Sequence, residues 1–227
     1  MKERPILFNA EMVRAILDGR KTQTRRLLKP QPAGGLNFAG WCIASSEPKD
    51  EGKANFARGE HPFLTDTQRF RCPLGKPGDV LWVRETWQPK SAYWWDMLSS
   101  GKDRTNVAVN NAVTFAATCP APEHQGRWKP SIHMPRWASR IDLLIKDVRI
   151  ERLQDISEED ARAEGSYLRR CDCSTMQSKP KTPIEALFIQ HWCMYHGTEF
   201  KKLWNDLYKN WDANPWVWVI DFEKIKG

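Results

Sequence analysis

Ile16-Leu17-Asp18-Gly19-Arg20-Lys21-Thr22-Gln23-Thr24-Arg25-Arg26 is the stretch that decides how the chain is read. Upstream of it, Asn9 has the short side-chain acceptor of a helix N-cap, and Met12, Val13, Ile16 and Leu17 repeat at helical spacing. Gly19 supplies the left-handed position that closes a helix, so a short amphipathic helix ends there. From Thr22 to Leu28 the pattern is that of an extended segment, with Thr22, Thr24 and Arg26 on one face and Gln23, Arg25 and Leu27 on the other. Lys21 sits at the joint. An amine at a helix-to-strand joint and a hydroxyl three residues on can converge on one pocket mouth, the pairing that activates a hydroxyl nucleophile. The same residues admit a structural reading, in which Arg20 and Lys21 complement the negative end of the helix and Thr22 and Thr24 are ordinary strand formers.

Outward from this stretch, Ile6-Leu7-Phe8 reads as a strand feeding the helix. Residues 29–63 are rich in Pro, Gly, Ser and Lys and read as peripheral loop with one weak hairpin around Gly40–Ile43. Pro77-Gly78-Asp79 suits a type II turn, and the strand from Val80 to Trp87 puts Leu81, Val83, Glu85 and Trp87 on one face. Arg84 and Glu85 are candidates for a lined cavity or, alternatively, for a surface ion pair. Tyr93-Trp94-Trp95 reads as a small helix and Val113–Ala117 as a strand. Ile132 to Arg140 interleaves basic and aromatic groups, Arg136 and Trp137 among them, as a base-stacking, phosphate-neutralising segment does. An ordinary loop anchored by Met134 and Trp137 fits it equally.

Residues 141–153 form a long extended segment whose phase slips at Lys146-Asp147, implying a bulge or a turn. Ser157 caps a helix closed by Gly165. Glu164, in its last turn, places a carboxylate against the negative helix end, a misfit that a partner cation would remove. Lys21 is the natural candidate if the two segments meet. Thr182-Pro183-Ile184-Glu185 starts a helix running to about His196, and Thr198 caps another with Phe200, Leu203, Trp204 and Leu207 on one stripe. The final strand, Trp216–Phe222, is apolar enough to be central or to close a barrel.

At 227 residues the chain can bury a sizeable core, and its net charge of +7 favours a polyanionic partner. No apolar run approaches the roughly 20 residues that cross a bilayer, and Met-Lys-Glu-Arg-Pro lacks an apolar signal region, so a cytoplasmic protein with no membrane partner is expected. Six cysteines in such a chain are expected to be reduced thiols. Most of the twelve tryptophans should be core or pocket wall. Cys171, Cys173, His191, Cys193 and His196 could gather around zinc, but residues 191 and 193, two apart on a helix, point to different sides, so no metal site is assigned. HExxH, CxxC pairs, Gly-x-Ser-x-Gly and Walker glycine loops are missing, and no cofactor is implied.

The 19–26 block, the Pro77–Glu85 strand, the Ile156–Gly165 helix and the Trp218–Phe222 strand, in that order, resemble the ASCH domain family of the PUA-like superfamily, its phage and prophage members above all. The resemblance implies an α+β fold: a mostly antiparallel β-barrel with helices at its mouth. The chain would be a single domain over 1–227, with insertions at about 30–63, 88–130 and 166–212, and its cleft would suit RNA or a modified nucleoside. One branch of the family hydrolyses the amide of N(4)-acetylcytidine with lysine, threonine and glutamate, which fall by motif on Lys21, Thr24 and Glu164. Thr24 would be the nucleophile, Lys21 the base, and Glu164 the group that orients the lysine or holds the attacked amide. Arg25, Arg26, Arg84, Glu85, Arg136 and Trp137 would contact substrate or nucleic acid. The alternatives are a non-catalytic RNA-binding module and a metal-assisted ribonuclease.

Overall fold

β1 (Glu3–Leu7) runs into Asn9, whose side chain accepts the Met12 N–H at 2.8 Å and starts α1 (Ala10–Leu17). This helix buries Met12, Val13, Ala15 and Ile16, then ends with Gly19 at φ +73°. β2 (Gln23–Leu27) follows directly. The computed structural model describes residues 1–43, 47–59, 63–90, 112–119, 127–166 and 196–226, with the side chains of 196 and 197 excepted. The architecture is mixed, with most strands in antiparallel sheets and few helices.

The principal sheet has five strands in the order β1-β6-β9-β10-β2, where β6 is Val80–Arg84, β9 Asp142–Arg152 and β10 Trp216–Lys226. β1 and β6 run parallel and the other neighbours antiparallel. β1 and β2 are the two edges, and among the described residues no ladder joins them. Instead α1 connects them along the chain, and Arg26 Nη2 donates across the gap to the Leu7 carbonyl at 2.8 Å. The turn into β6 forms as expected: Gly78 takes φ +87° and Asp79 N–H reaches the Lys76 carbonyl at 3.0 Å.

β10 is interior to this sheet and two-faced. Trp218, Ile220 and Phe222 join Phe8, Val13, Ile16, Leu81 and Leu143 in the main core, while Val217 and Val219 face Leu153, Ala161, Phe200 and Trp204. The second face is covered by α2 (Glu158–Ala163) and α3 (His196–Tyr208). The phase slip in residues 141–153 is a bulge, because β9 continues unbroken while its register to β10 shifts between Asp221 and Phe222, opposite Lys146.

Three expectations change. Residues 29–63, expected as peripheral loop with one weak hairpin, contribute β3 (Asn37–Trp41) and β4 (Ala54–Arg58), which join β5 (Thr65–Phe70) in an antiparallel sheet. Its strands are short and interrupted by Gly-rich turns, which hid their alternation, yet Phe56 is wholly buried and meets Trp216 at 5.1 Å. The 80–87 strand breaks after Arg84, since the Glu85 N–H turns to the Met134 sulfur, and Trp87–Pro89 pairs separately as β7 with β8 (Val113–Phe115). Thr198, expected as a cap, lies within α3 (His196–Tyr208). The Tyr93-Trp94-Trp95 and 182–195 helices and the Cys171, Cys173, His191 and Cys193 set lie outside the described residues. Among the described residues no helix is long and apolar enough to cross a membrane.

Candidate functional site

Backbone pairing brings residue 21 to residue 164. The Lys21 N–H donates to Ala15 at 3.0 Å and the Thr22 N–H to Ala163 at 2.8 Å, while Lys21 and Glu164 form an isolated antiparallel bridge. Gly165, at φ +80°, permits this approach: a Cβ there would stand 2.9 Å from the Cβ atoms of both Ala15 and Lys21.

The Lys21 side chain is completely enclosed, and its ammonium meets three acceptors: the Gln23 carbonyl at 2.8 Å, the Glu164 carbonyl at 2.8 Å and Glu164 Oε2 at 2.6 Å. The Phe8 ring lies on another side, 5.6 Å from Nζ. The second carboxylate oxygen, Oε1, accepts the Arg25 backbone N–H. Glu164 thus has the partner cation that its place at the end of α2 called for. Burial pushes the Lys21 ammonium below its ordinary pKa, opposed by the charge and hydrogen bond of Glu164 and assisted by Arg26 and Arg25. An amine held in that balance is closer to neutrality at physiological pH than a solvated lysine.

Thr24 is buried and pairs through its backbone with Ile220, which puts its side chain on the Trp218–Ile220 side of the sheet. Its hydroxyl has no hydrogen bond among the described residues. It lines a crevice with Met12, Glu164 and Leu203. Arg26 shares this face, with its guanidinium 5.2 Å from the centre of the Phe8 ring.

Arg25, offset by one residue, points the other way. Its guanidinium is enclosed, bonded to Gln23 Oε1, to Glu151 at 2.9 Å and to Asp160 at 3.0 Å, and stands 5.9 Å from the Phe200 ring. It therefore faces an internal network, with no open side for a substrate phosphate. Gln23 Nε2 extends the network to Asp160 at 2.9 Å and Asp221 at 2.7 Å, and Arg149 bonds Glu151, Asp160 and Asp221. Burial pushes the Asp160 carboxyl up, but the Gln23 hydrogen bond and the Arg25 and Arg149 charges outweigh it and hold the group below its usual range. These residues tie β2, β9, β10 and α2 together and so fix Glu164 over Lys21. Sequence reasoning singled out Arg25 but missed Arg149, Glu151, Asp160 and Asp221 as its network, although the alternation of Arg149 and Glu151 on one strand face was a usable signal.

The other expected contacts gather elsewhere. Arg84 donates to the Met134 carbonyl at 3.0 Å and lies 5.2 Å from the Trp82 ring; Arg136 lies 5.8 Å from the same ring and is bonded to Glu3 and Asp142. Glu85 is buried against Arg140, two bonds of 2.8 and 3.0 Å, with its carboxyl raised by desolvation against the pull of that arginine. Trp137 packs edge-on to Trp87 at 6.3 Å. Glu164 therefore links two sets, binding Lys21 on one side and lining a crevice with Thr24 and Arg26 on the other, and Arg84, Glu85, Arg136 and Trp137 belong to neither.

No family model matches this chain, nor does any curated protein or solved structure. Among the described residues no three or more His, Cys, Asp or Glu side chains are grouped to hold a metal ion. What Lys21, Glu164 and Thr24 offer is a desolvated amine of lowered basicity, a carboxylate that fixes it, and, lining the same crevice as that carboxylate, a hydroxyl with no hydrogen bond among the described residues. That combination suits nucleophilic attack on an activated acyl carbon.

Proposed function

We propose that the chain is an amide hydrolase acting on N(4)-acylated cytosine nucleosides or nucleotides, with a PUA-like barrel of the ASCH kind as its frame. The single observation that carries this reading is the 2.6 Å contact between Lys21 and Glu164, 143 residues apart, with Glu164 lining the same crevice as the buried Thr24. The five-stranded sheet, with α1 spanning from one edge to the other, supports the frame.

In the reaction, Thr24 Oγ1 attacks the acyl carbonyl carbon while its proton passes to the neutral form of Lys21. The tetrahedral intermediate expels the cytosine amine, which takes that proton back from the lysine. A water molecule then cleaves the acyl-threonine ester by the same route in reverse, releasing the carboxylic acid. Glu164 keeps Lys21 aimed and stabilises its transient charge. Arg26, two residues along the Thr24 face, is the cation available to the developing oxyanion. Incubation with a panel of N(4)-acylated cytidines, read for free cytidine, tests the reading: turnover by the wild type and its loss in Lys21→Met and Thr24→Val support it, and silence across the panel overturns it.

A second reading, a non-catalytic RNA-binding module, draws on Trp82, whose ring has the guanidinium groups of Arg84 and Arg136 at 5.2 and 5.8 Å. A phosphate-driven binder would lose affinity steeply with salt.

A further inference from the structure

Two cavities meet at Glu164. The larger, about 480 Å³, lies between α1, the Gly165–Ser166 turn and α3. The smaller is the Thr24 crevice, about 10 Å³. Met12, Glu164 and Leu203 line both, so these three side chains form the partition between them. The large cavity falls within the roughly 300–1,000 Å³ of small-molecule sites, whereas the crevice has room for about one water molecule at most. No substrate reaches Thr24 unless the partition gives way. Glu164 is held by Lys21 and Arg25, which leaves Met12 and Leu203 as the movable part, two flexible apolar side chains on opposite helices.

The charge on the walls limits what enters. Asp18 and Arg20 pair with each other at 2.9 Å. The remaining wall charges outside Glu164 are the carboxylates of Glu11, Glu199 and Asp206 against the cations Arg14 and Lys202, and Arg14 donates to the Ala117 carbonyl at 3.0 Å. A phosphate site gathers several cations with free donors. This wall is weakly acidic on balance, and a phosphate entering it would meet carboxylates.

We infer that the large cavity is the antechamber of the Thr24 site, that it admits an uncharged cytosine nucleoside or free base in preference to a phosphorylated one, and that Met12 and Leu203 gate the passage to Thr24. This rests on the amide-hydrolase reading and narrows its substrate. The base occupies the antechamber, and its N(4)-acyl group passes between Met12 and Leu203 to the hydroxyl. The tightness of the crevice restricts that group to a short one.

Calorimetric titration of the full chain with cytosine, cytidine and cytidine 5′-monophosphate tests the first part, and acyl-cytidine turnover by Leu203→Ala, Leu203→Trp and Met12→Ala tests the gate, each variant being checked by its melting temperature. The uncharged ligands should bind about tenfold or more tightly than the monophosphate, and Glu11→Gln/Glu199→Gln/Asp206→Asn should narrow the gap. Leu203→Ala and Met12→Ala should shift preference toward longer acyl groups by about fivefold or more, and a folded Leu203→Trp should lose turnover. Equal binding of monophosphate and nucleoside, or an acyl preference indifferent to both gate residues, overturns the inference. Cytidine binding that follows the predicted order without turnover of any acylated cytidine leaves the antechamber standing and removes the hydrolase. Turnover with indifferent gate variants does the opposite.

Discussion

Glu164→Gln removes a charge and almost no volume, and it strikes the one contact on which the site is built. In the wild type the enclosed Lys21 ammonium has two carbonyls and a carboxylate oxygen as acceptors, at 2.8, 2.8 and 2.6 Å. After the substitution three oxygens can still accept, but the compensating charge is gone and the ammonium stands alone in a water-free setting. Breaking one side of a buried ion pair costs about 3–5 kcal/mol. At about 2–4 °C per kcal/mol for a chain of this size, the melting temperature should fall by about 6–20 °C at pH 7. The lysine has an escape, which is to lose its proton. Burial already lowers its pKa from 10.5, and Glu164 is the group that pulls it back up. Without Glu164 the folded-state pKa drops further while the unfolded one stays, so the unfolded chain binds more protons throughout that widened window. Stability then rises with pH between the two values, and Glu164→Gln should recover part of its deficit as pH increases from 7 toward 10. Lys21→Met should show no such recovery. The double variant Lys21→Met/Glu164→Gln, with both charges gone, should lose less than the two single losses added. Thermal melts of the four proteins across pH 7–10 measure all of this. A Glu164→Gln protein within about 1 kcal/mol of wild type at pH 7, with an unchanged alkaline profile, refutes the reasoning.

The Thr24 hydroxyl makes no bond among the described residues, so Thr24→Val should change stability by no more than about 1 kcal/mol while reducing acyl-cytidine turnover by about 10³ or more; the two effects separate in one melt and one rate assay. Gly165→Ala forces a side chain into φ +80° and to within 2.9 Å of Lys21 and Ala15, and denaturant unfolding should show a loss of about 2 kcal/mol or more. Asp160, held below the model-compound value of 3.8, contributes stability that is present above that pH and lost as pH falls through its lower folded value. Acid titration of Asp160→Asn should show that limb flattened, together with a loss of about 1–3 kcal/mol at pH 7 from the weakened charge-assisted bonds to Arg25 and Arg149.

Local grammar made part of this protein legible. Asn9 as a cap, Gly19 as a terminator, the turn at Pro77-Gly78, Ser157 as the α2 cap and the alternation of Thr24 and Arg26 against Gln23 and Arg25 each depend on neighbours only a few residues away, and each appears in the fold. Glu164 was legible through its misfit with the helix dipole, which asked for a cation without saying where that cation comes from. The distance from 21 to 164 is closed by the β2–β10–β9 register, which no local pattern encodes. The same register decides that Arg25 meets α2 and its acids, so the sequence showed a cation and the fold encloses it. β3, β4 and β5 escaped because stretches such as Asn37–Trp41 become strands through the burial of Phe56 against Trp216, a tertiary gain that outweighs weak local propensity.

The central claim is that Lys21, Thr24 and Glu164 hydrolyse the exocyclic amide of an acylated cytosine. Its most direct test traps the intermediate: the wild type is mixed with N(4)-acetylcytidine, quenched in acid within the first turnovers and weighed by intact-protein and peptide mass spectrometry. The account predicts an acetyl mass on the peptide containing Thr24, absent in Thr24→Val, with free cytidine released in step. Cytidine released at the wild-type rate by Thr24→Val, or an acetyl group carried by a different residue, would contradict it.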